Sequence, residues 1–349
     1  MLNIQFLPAN CGDAIIVKWK ESATQAYLIV IDFGKERSKN HPILVDHLKI
    51  AVKEIGKIDL FVGTHMDDDH IGGILKLFNN NHSEIIEKVV EWWLNHSLEI
   101  ENNDTSDQKI NGKQNIDLKE FLTMKELCPL HPILKDHLKT IGGAKIQVLS
   151  PNKEGYEKAK NISLKEEIKR STLIGAKIPD HNLSIEELKH KPFYEDGSET
   201  NNSSIAFLFS LSKIKGLFLA DAFPSTVLKS LNELGYNDSD KKLELDFVKI
   251  SHHGSKNNTS EELLDVLECC NYIICCNGYN GYSFPDKEAL VKIILKGTKE
   301  KPVNIYFTHS DDALQQIFTI EEQNNEDYHF NLSFGYPDEI LNFNFPIHE

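Results

Sequence analysis

No stretch of this 349-residue chain approaches the roughly 18 consecutive apolar residues that a membrane-crossing helix needs. Met1-Leu2-Asn3-Ile4-Gln5-Phe6-Leu7-Pro8 lacks the basic region of an export signal and reads directly as a strand, so a cytoplasmic location is expected. Positive charge is short. Lys and Arg total 38 against 53 Asp and Glu, for a net charge of −15. That counts against a freely scanning duplex-DNA binder, which is usually basic, although bound divalent cations would offset the charge locally. It suits docking on a basic protein partner, and a homodimer also stays open. Internal repeats and low-complexity segments are absent, and the 40% apolar content belongs to a globular chain with a sizeable core.

Cysteine is sparse, at six. Cys269-Cys270 and Cys275-Cys276 could suggest a thiolate zinc site. The second pair closes the apolar run Tyr272-Ile273-Ile274, and neighbours on a strand face opposite ways, so buried free thiols are expected there and at Cys11 and Cys128. Disulfides are not expected in a reducing compartment.

What the chain does have is concentrated in Thr64-His65-Met66-Asp67-Asp68-Asp69-His70-Ile71. The apolar run Ile58–Gly63 before it reads as a buried strand, and Gly72-Gly73 with Ile74–Phe78 after it as the start of a helix. Strand ends facing helix N-termini are where α/β folds place chemistry. Three adjacent carboxylates repel one another and converge only around a cation. His65, Asp67, Asp69 and His70 offer imidazole nitrogen and carboxylate oxygen toward two neighbouring cation positions, a donor set suited to zinc, manganese or iron.

H-x-D-x-D-H after a strand resembles the metal motif of the metallo-β-lactamase fold hydrolases, in the variant found in the hydrolase domain of ComEC/Rec2 competence proteins. Cys11-Gly12-Asp13 before an apolar run and Asp32-Phe33-Gly34 also resemble that pattern, with Asp32 placed to orient a ligand. The resemblance covers Met1 to Phe78 and Asn201 to about Ala313. It implies an αββα sandwich, here one domain over 1–349 with elaborated, mostly helical loops inserted at about 80–199. ComEC proteins carry this domain beside membrane helices, so DNA uptake is not expected of this chain.

The same resemblance implies the remaining ligands. Asp221, ending Leu217-Phe218-Leu219-Ala220, matches an Asp that bridges both metals, with Ala220 in place of a Gly. Lys249-Ile250-Ser251-His252-His253-Gly254-Ser255 matches "HHGS". One of the two His would bind the Asp69/His70 cation, with His252 preferred as nearer the strand end. The other, with Ser255 and Lys256, would face the phosphate or leaving group. Asn201 and Asn202 stand where the usual fold has a histidine. An amide favours Mn²⁺ or Mg²⁺ over Zn²⁺, so the His65/Asp67 position is expected to be weak or empty until substrate arrives. Asn280 is a candidate substrate contact. Phe284 stands where the family has another His, leaving His309 as a substitute donor or a strand-end cap.

The implied activity is a metal-dependent phosphodiesterase or nuclease. Two divalent ions (zinc or manganese, with magnesium admissible) hold a hydroxide whose pKa falls from about 15.7 toward 7. Asp69 or Asp221 orients that nucleophile, and His253 protonates the leaving oxygen. Nucleic acid or a nucleotide is the expected substrate. The alternatives are a small ester (phosphorylcholine ester, lactone, thioester or cyclic nucleotide) and a non-catalytic or weakly active partner subunit of a multi-protein system, a defence system among them.

The spacing predicts helices over His41–Gly56, Ile116–Leu127, Pro132–Ile141, Ser225–Leu234, Glu261–Leu267 and Asp286–Leu295. It predicts strands over Asn3–Leu7, Ala14–Trp19, Ala26–Asp32, Val89–Leu94, Lys145–Ser150, Ile205–Leu211, Gly216–Ala220, Leu245–Ile250, Tyr272–Cys276 and Val303–Phe307, and a hairpin beyond Gln315.

Overall fold

A computed structural model describes residues 1–22, 24–79, 83–95, 131–161, 179–237, 239–278, 284–337 and 339–347. The predicted helix Ile116–Leu127, together with Cys128 and Asn280, lies outside them.

Sixteen strands are described: β1 (Leu2–Phe6), β2 (Ala14–Lys20), β3 (Ala26–Phe33), β4 (Leu60–Gly63), β5 (Trp92–Leu94), β6 (Leu138–Ile141), β7 (Ala144–Ser150), β8 (Ala206–Leu211), β9 (Ile214–Phe218), β10 (Leu243–Glu244), β11 (Phe247–Lys249), β12 (Leu267–Glu268), β13 (Asn271–Ile274), β14 (Val303–His309), β15 (Phe330–Tyr336) and β16 (Leu341–Phe345). One sheet runs β16-β1-β2-β3-β4-β5 and a second β15-β14-β13-β11-β9-β8-β7-β6, with β10 and β12 pairing separately. Both sheets are mixed. Antiparallel hairpins such as β2–β3 and β8–β9 give way to parallel pairs where helices connect the strands, as in β3–β4 and β11–β13.

Three apolar cores separate four layers. Phe6, Trp19, Ile31, Phe207, Phe218 and Phe247 are among the side chains that interlock between the sheets. The helices His41–Ile55 and Asp68–Asn79 bury Leu44, Leu48, Ile71 and Ile74 against the outer face of the first sheet. Pro224–Glu233 and Lys287–Ile294 bury Val227, Leu231, Leu290 and Ile294 against the second. This is the αββα sandwich. Strands alternate their faces, so inward residues feed the inter-sheet core and outward ones the helix-facing cores. Ile273 and Ile274 of β13 show it, the first lying in the inter-sheet core and the second in the helix-facing one, and Cys275 and Cys276 beyond the strand divide in the same way.

Two expectations are corrected. Pro132–Ile141 is not a helix: it runs through a turn into β6, paired antiparallel with β7. Gly142-Gly143, both left-handed at φ +45° and +71°, make the two-residue turn that closes this hairpin. The tail is not a hairpin either. β15 lies parallel to β14 in the second sheet, whereas β16 crosses to pair antiparallel with β1 in the first. In the 80–199 stretch, β5 extends one sheet and β6–β7 the other. No helix among the described residues is long and apolar enough to cross a membrane.

Candidate metal centre

The ends of β4, β9 and β11 converge at one edge of the sandwich. After β4, Thr64 and His65 are buried, and the helix Asp68–Asn79 begins within the motif. The turn is tightly held. Gly12 lies against the backbone of Asp69, where a Cβ would stand 2.4 Å from the Asp69 carbonyl oxygen. The Asp13 N–H donates to that same oxygen at 3.1 Å. The three carboxylates then part. Asp68 accepts the Glu36 N–H through Oδ1 at 3.3 Å, and burial pushes its pKa up. Asp67 and Asp69 turn toward the histidines.

Asp221 follows β9 and is buried, with its two oxygens facing different ways. Oδ2 lies 3.6 Å from His65 Nε2 and 3.8 Å from His252 Nε2, while Oδ1 lies 3.3 Å from His70 Nε2. His65 Nε2 is also 3.5 Å from Asp67 Oδ2. His253 Nε2 is 3.4 Å from Asp69 Oδ2. The nitrogen and oxygen donors of His65, His70 and Asp221 lie mutually within 4.8 Å, as do those of Asp69, His70 and His253. His253 is therefore the one that joins Asp69 and His70, where His252 was preferred. The reason is local backbone. Strand alternation stops at Lys249, and His252 and His253 both adopt left-handed conformations, at φ +46° and +55°. Such backbone is uncommon outside glycine and is tolerated where surrounding structure enforces it. Here the His252 N–H donates to Ala220 O at 2.9 Å, and Ala220 is itself left-handed at φ +47°.

Every ring has its other nitrogen engaged. His70 Nδ1 lies 2.7 Å from Asp32 Oδ2, and Asp32 also accepts the Thr64 N–H and hydroxyl at 2.8 and 2.7 Å. His65 Nδ1 lies 3.2 Å from Thr64 Oγ1. His253 Nδ1 donates to Cys275 O and His252 Nδ1 to Asn258 Oδ1, each at 2.9 Å. These bonds select the tautomer that leaves each Nε2 lone pair facing the carboxylates. The Nε2 atoms of His65, His70 and His253, and Asp221 Oδ1, are buried without hydrogen-bond partners. Acceptors facing acceptors in a buried site demand either protons or cations. The donor set fits cations. A tetrahedral shell with bonds of about 2.0–2.2 Å puts neighbouring donor atoms about 3.3–3.6 Å apart, close to the separations here.

The carboxylates draw two of the rings toward the protonated state. Burial opposes charge on His70, but Asp221 and Asp32 overcome it and hold its pKa well above the usual range. His252 behaves likewise, with burial outweighed by Asp221 and Asp196, and is raised to about 9. Burial works against the Asp69 and Asp221 carboxylates too, yet the surrounding histidines hold both well below the ordinary range.

Beneath the cluster, Lys249 is fully buried and paired with Asp13, and its Nζ lies 3.3 Å from Ala220 O. Sequence reasoning missed this pair as such, although both residues flank quoted motifs. It also missed Asp196 and Asn258. Asp196 accepts from Asn201 Nδ2 at 2.6 Å and from Asn258 Nδ2 at 3.2 Å, and its Oδ2 lies 3.6 Å from His252 Nδ1.

Other expected contacts are placed differently. Asn202 turns away, its amide on Glu199 at 3.4 Å, and Asn201 is the one behind His252, 3.3 Å from Nδ1. Ser255 is buried, and its hydroxyl accepts the Asn257 N–H. Lys256 Nζ lies 3.8 Å from Glu288 and lines an open cleft of about 300 Å³ with Lys191, Tyr194 and Asn257. As a proton donor, His253 is poorly placed: its Nδ1 hydrogen is given to Cys275 O, and its Nε2 faces the Asp69 carboxylate from 3.4 Å as a cation ligand would. Phe284 packs on the His252 ring, with centroids 4.8 Å apart. His309 is buried against Thr308, Asn40 and Tyr336, outside the cluster.

No family model matches the chain, and no curated protein does. Among solved structures it is similar to the metallo-β-lactamase fold protein YhfI from Bacillus subtilis, at 10% identity, over 98% of each chain, with a TM-score of 0.44. It is also similar to a diphosphatase of the PhnP family, at 11% identity over 99% of each chain and a TM-score of 0.42. A third is CmlA, a diiron β-hydroxylase from Streptomyces venezuelae, at 10% identity and a TM-score of 0.38. That similarity covers 84% of this chain, which spans only about half of CmlA (50%). The likeness is one of architecture, and the chemistry rests on this chain's own residues.

Proposed function

We propose that the protein is a metal-dependent hydrolase of phosphoric esters, with a phosphodiester of nucleic acid or a nucleotide as substrate. The observation that carries this is the pair of donor groups on opposite oxygens of Asp221, with three buried Nε2 atoms that have no hydrogen-bond partner. His65, Asp67, Asp69, His70, His253 and Asp221 would hold the cations. Divalent cations so placed supply a nucleophile at neutral pH and neutralise phosphoryl oxygens. The chain's own part is to hold four imidazoles in one tautomer through Asp32, Thr64, Cys275 and Asn258, and to keep the carboxylates ionised. The H-x-D-x-D-H resemblance to the ComEC-type domain supports nucleic acid as the substrate class. A second reading, a small phosphate ester such as a cyclic nucleotide, draws support from the net charge of −15 and from the small cleft beside Lys256.

The test is cleavage of single- and double-stranded DNA and RNA, and of a cyclic nucleotide, with Mn²⁺, Mg²⁺ or Zn²⁺. Metal-dependent turnover abolished in a folded Asp69→Ala variant is the expected result. Equal turnover by Asp69→Ala stripped of metal would sink the proposal.

A further inference from the structure

We infer that His252 and His253 serve different cations, His253 with Asp69 and His70, and His252 with His65 and Asp67, so that the two positions carry matching ligand sets. The inference rests on the metal-dependent reading above.

The two oxygens of Asp221 divide the cluster. On the Oδ1 side stands His70 Nε2, and next to that ring His253 Nε2 with Asp69 Oδ2. On the Oδ2 side stand His65 Nε2 and His252 Nε2, at 3.6 and 3.8 Å, with Asp67 Oδ2 at 3.5 Å from His65. Each side offers two imidazole nitrogens, one carboxylate of its own and one of the two Asp221 oxygens. The consecutive left-handed backbones of His252 and His253 make the division possible. Their ring centroids lie 5.9 Å apart with planes 69° apart, so the rings diverge around Asp221 rather than stacking on one side. Asn201, expected to supply a poor oxygen ligand, has its amide nitrogen on Asp196 and beside the far nitrogen of His252, while its Oδ1 is buried without a hydrogen-bond partner. There Asn258 and Asp196 hold the ring with its Nε2 toward Asp221. The His65/Asp67 position is then no weaker in ligand count than its neighbour. Its loading depends on Asp196, which comes from the stretch read as an insertion.

The test counts ions on the full-length protein. Chelator-stripped protein is titrated calorimetrically with Zn²⁺ and with Mn²⁺, and bound metal is measured after gel filtration. Wild type is expected to hold two ions, and His252→Ala and His253→Ala one each. Adding Asp67→Ala to His252→Ala should leave one ion, since both residues serve one position, whereas adding Asp69→Ala should leave none. His252 is part-exposed, and circular dichroism checks the fold of each variant. Asp196→Asn leaves all ligands intact and should weaken one of the two binding events by roughly 10–100-fold. Two ions of unchanged affinity in both His252→Ala and Asp196→Asn would overturn the inference. So would the reverse pattern in the double variants, or a wild type that binds fewer than two ions. Two ions in wild type and one in His252→Ala, with no ester hydrolysed, would sink the proposed activity while supporting this assignment.

Discussion

Replacing Lys249 by Met tests the electrostatic floor of the site. The Lys249 ammonium is fully buried and paired with Asp13, and Asp13 overcomes the burial that would otherwise discharge it, so its pKa lies above the usual lysine value. Methionine matches the stem and removes the charge. Asp13 Oδ1 already lacks a hydrogen-bond partner, and no other cationic side chain is described within ion-pair distance except the rings of His70 and His253, at 3.9 and 3.7 Å. Removing one partner of a buried pair typically costs about 3–5 kcal/mol, because the other charge is left uncompensated. At about 2.1 cal/mol/K per residue, 349 residues give an unfolding entropy of about 0.7 kcal/mol/K, and hence a Tm lower by about 4–7 °C. Differential scanning calorimetry of chelator-treated protein measures this. Asp13→Asn in the Lys249→Met background should recover more than half of the loss, since the orphaned charge is gone. The exposed pair Lys301–Glu268, at 2.5 Å, is the control: Lys301→Met should move Tm by about 1 °C or less. A Lys249→Met shift no larger than the control's, or a double variant no better than the single, would refute the reasoning.

Gly12→Val should lower affinity for divalent ions while leaving the sheets intact by circular dichroism, because any Cβ there meets the Asp69 carbonyl at 2.4 Å and displaces the turn that carries Asp69. Unchanged calorimetric affinity would show that the turn yields at no cost. Asp32→Asn removes the carboxylate behind His70 and should weaken metal binding by about 10–100-fold, read by competition with a chromogenic chelator. His309 is held by burial at about 4, below its ordinary 6.5. The unfolded chain therefore takes up a proton first, so the stability His309 confers is full above pH 6.5 and is lost as pH falls toward 4. The loss is about 3 kcal/mol at most, and His309→Gln should flatten that part of the urea-midpoint profile between pH 6.5 and 4. An unaltered profile would contradict it.

Much of the architecture was legible because period and punctuation agree. Strands β1 to β4, β8, β9, β11, β13 and β14 follow apolar runs, and His41–Ile55 follows a 3.6-residue apolar spacing closed by Gly56. The misread elements have local causes. Pro132–Ile141 carries apolar residues at mixed spacing, and Gly142-Gly143 was the signal that it enters a hairpin. Around Gln315, two short helices precede strands whose partners, β14 and β1, lie far apart in sequence, and local pattern cannot name a partner. Asp196 was invisible for the same reason. It sits in a polar stretch without periodicity and acquires a role only because the chain brings it against His252 and Asn258.

Sequence alone was enough to place nitrogen and oxygen donors at the ends of three strands, because residue identity and the strand-then-turn pattern are local properties. The order of strands and helices, together with the resemblance to the metallo-β-lactamase fold, also indicated two sheets with helices outside. Tertiary structure alone decided which donor faces which. The left-handed backbones at Ala220, His252 and His253 send the rings where strand alternation would not. The two oxygens of Asp221 acquire separate neighbours only when β9, β11 and the turn after β4 meet. The Lys249–Asp13 pair likewise exists only because the two sheets close over it and exclude the water that would otherwise make its charges unimportant.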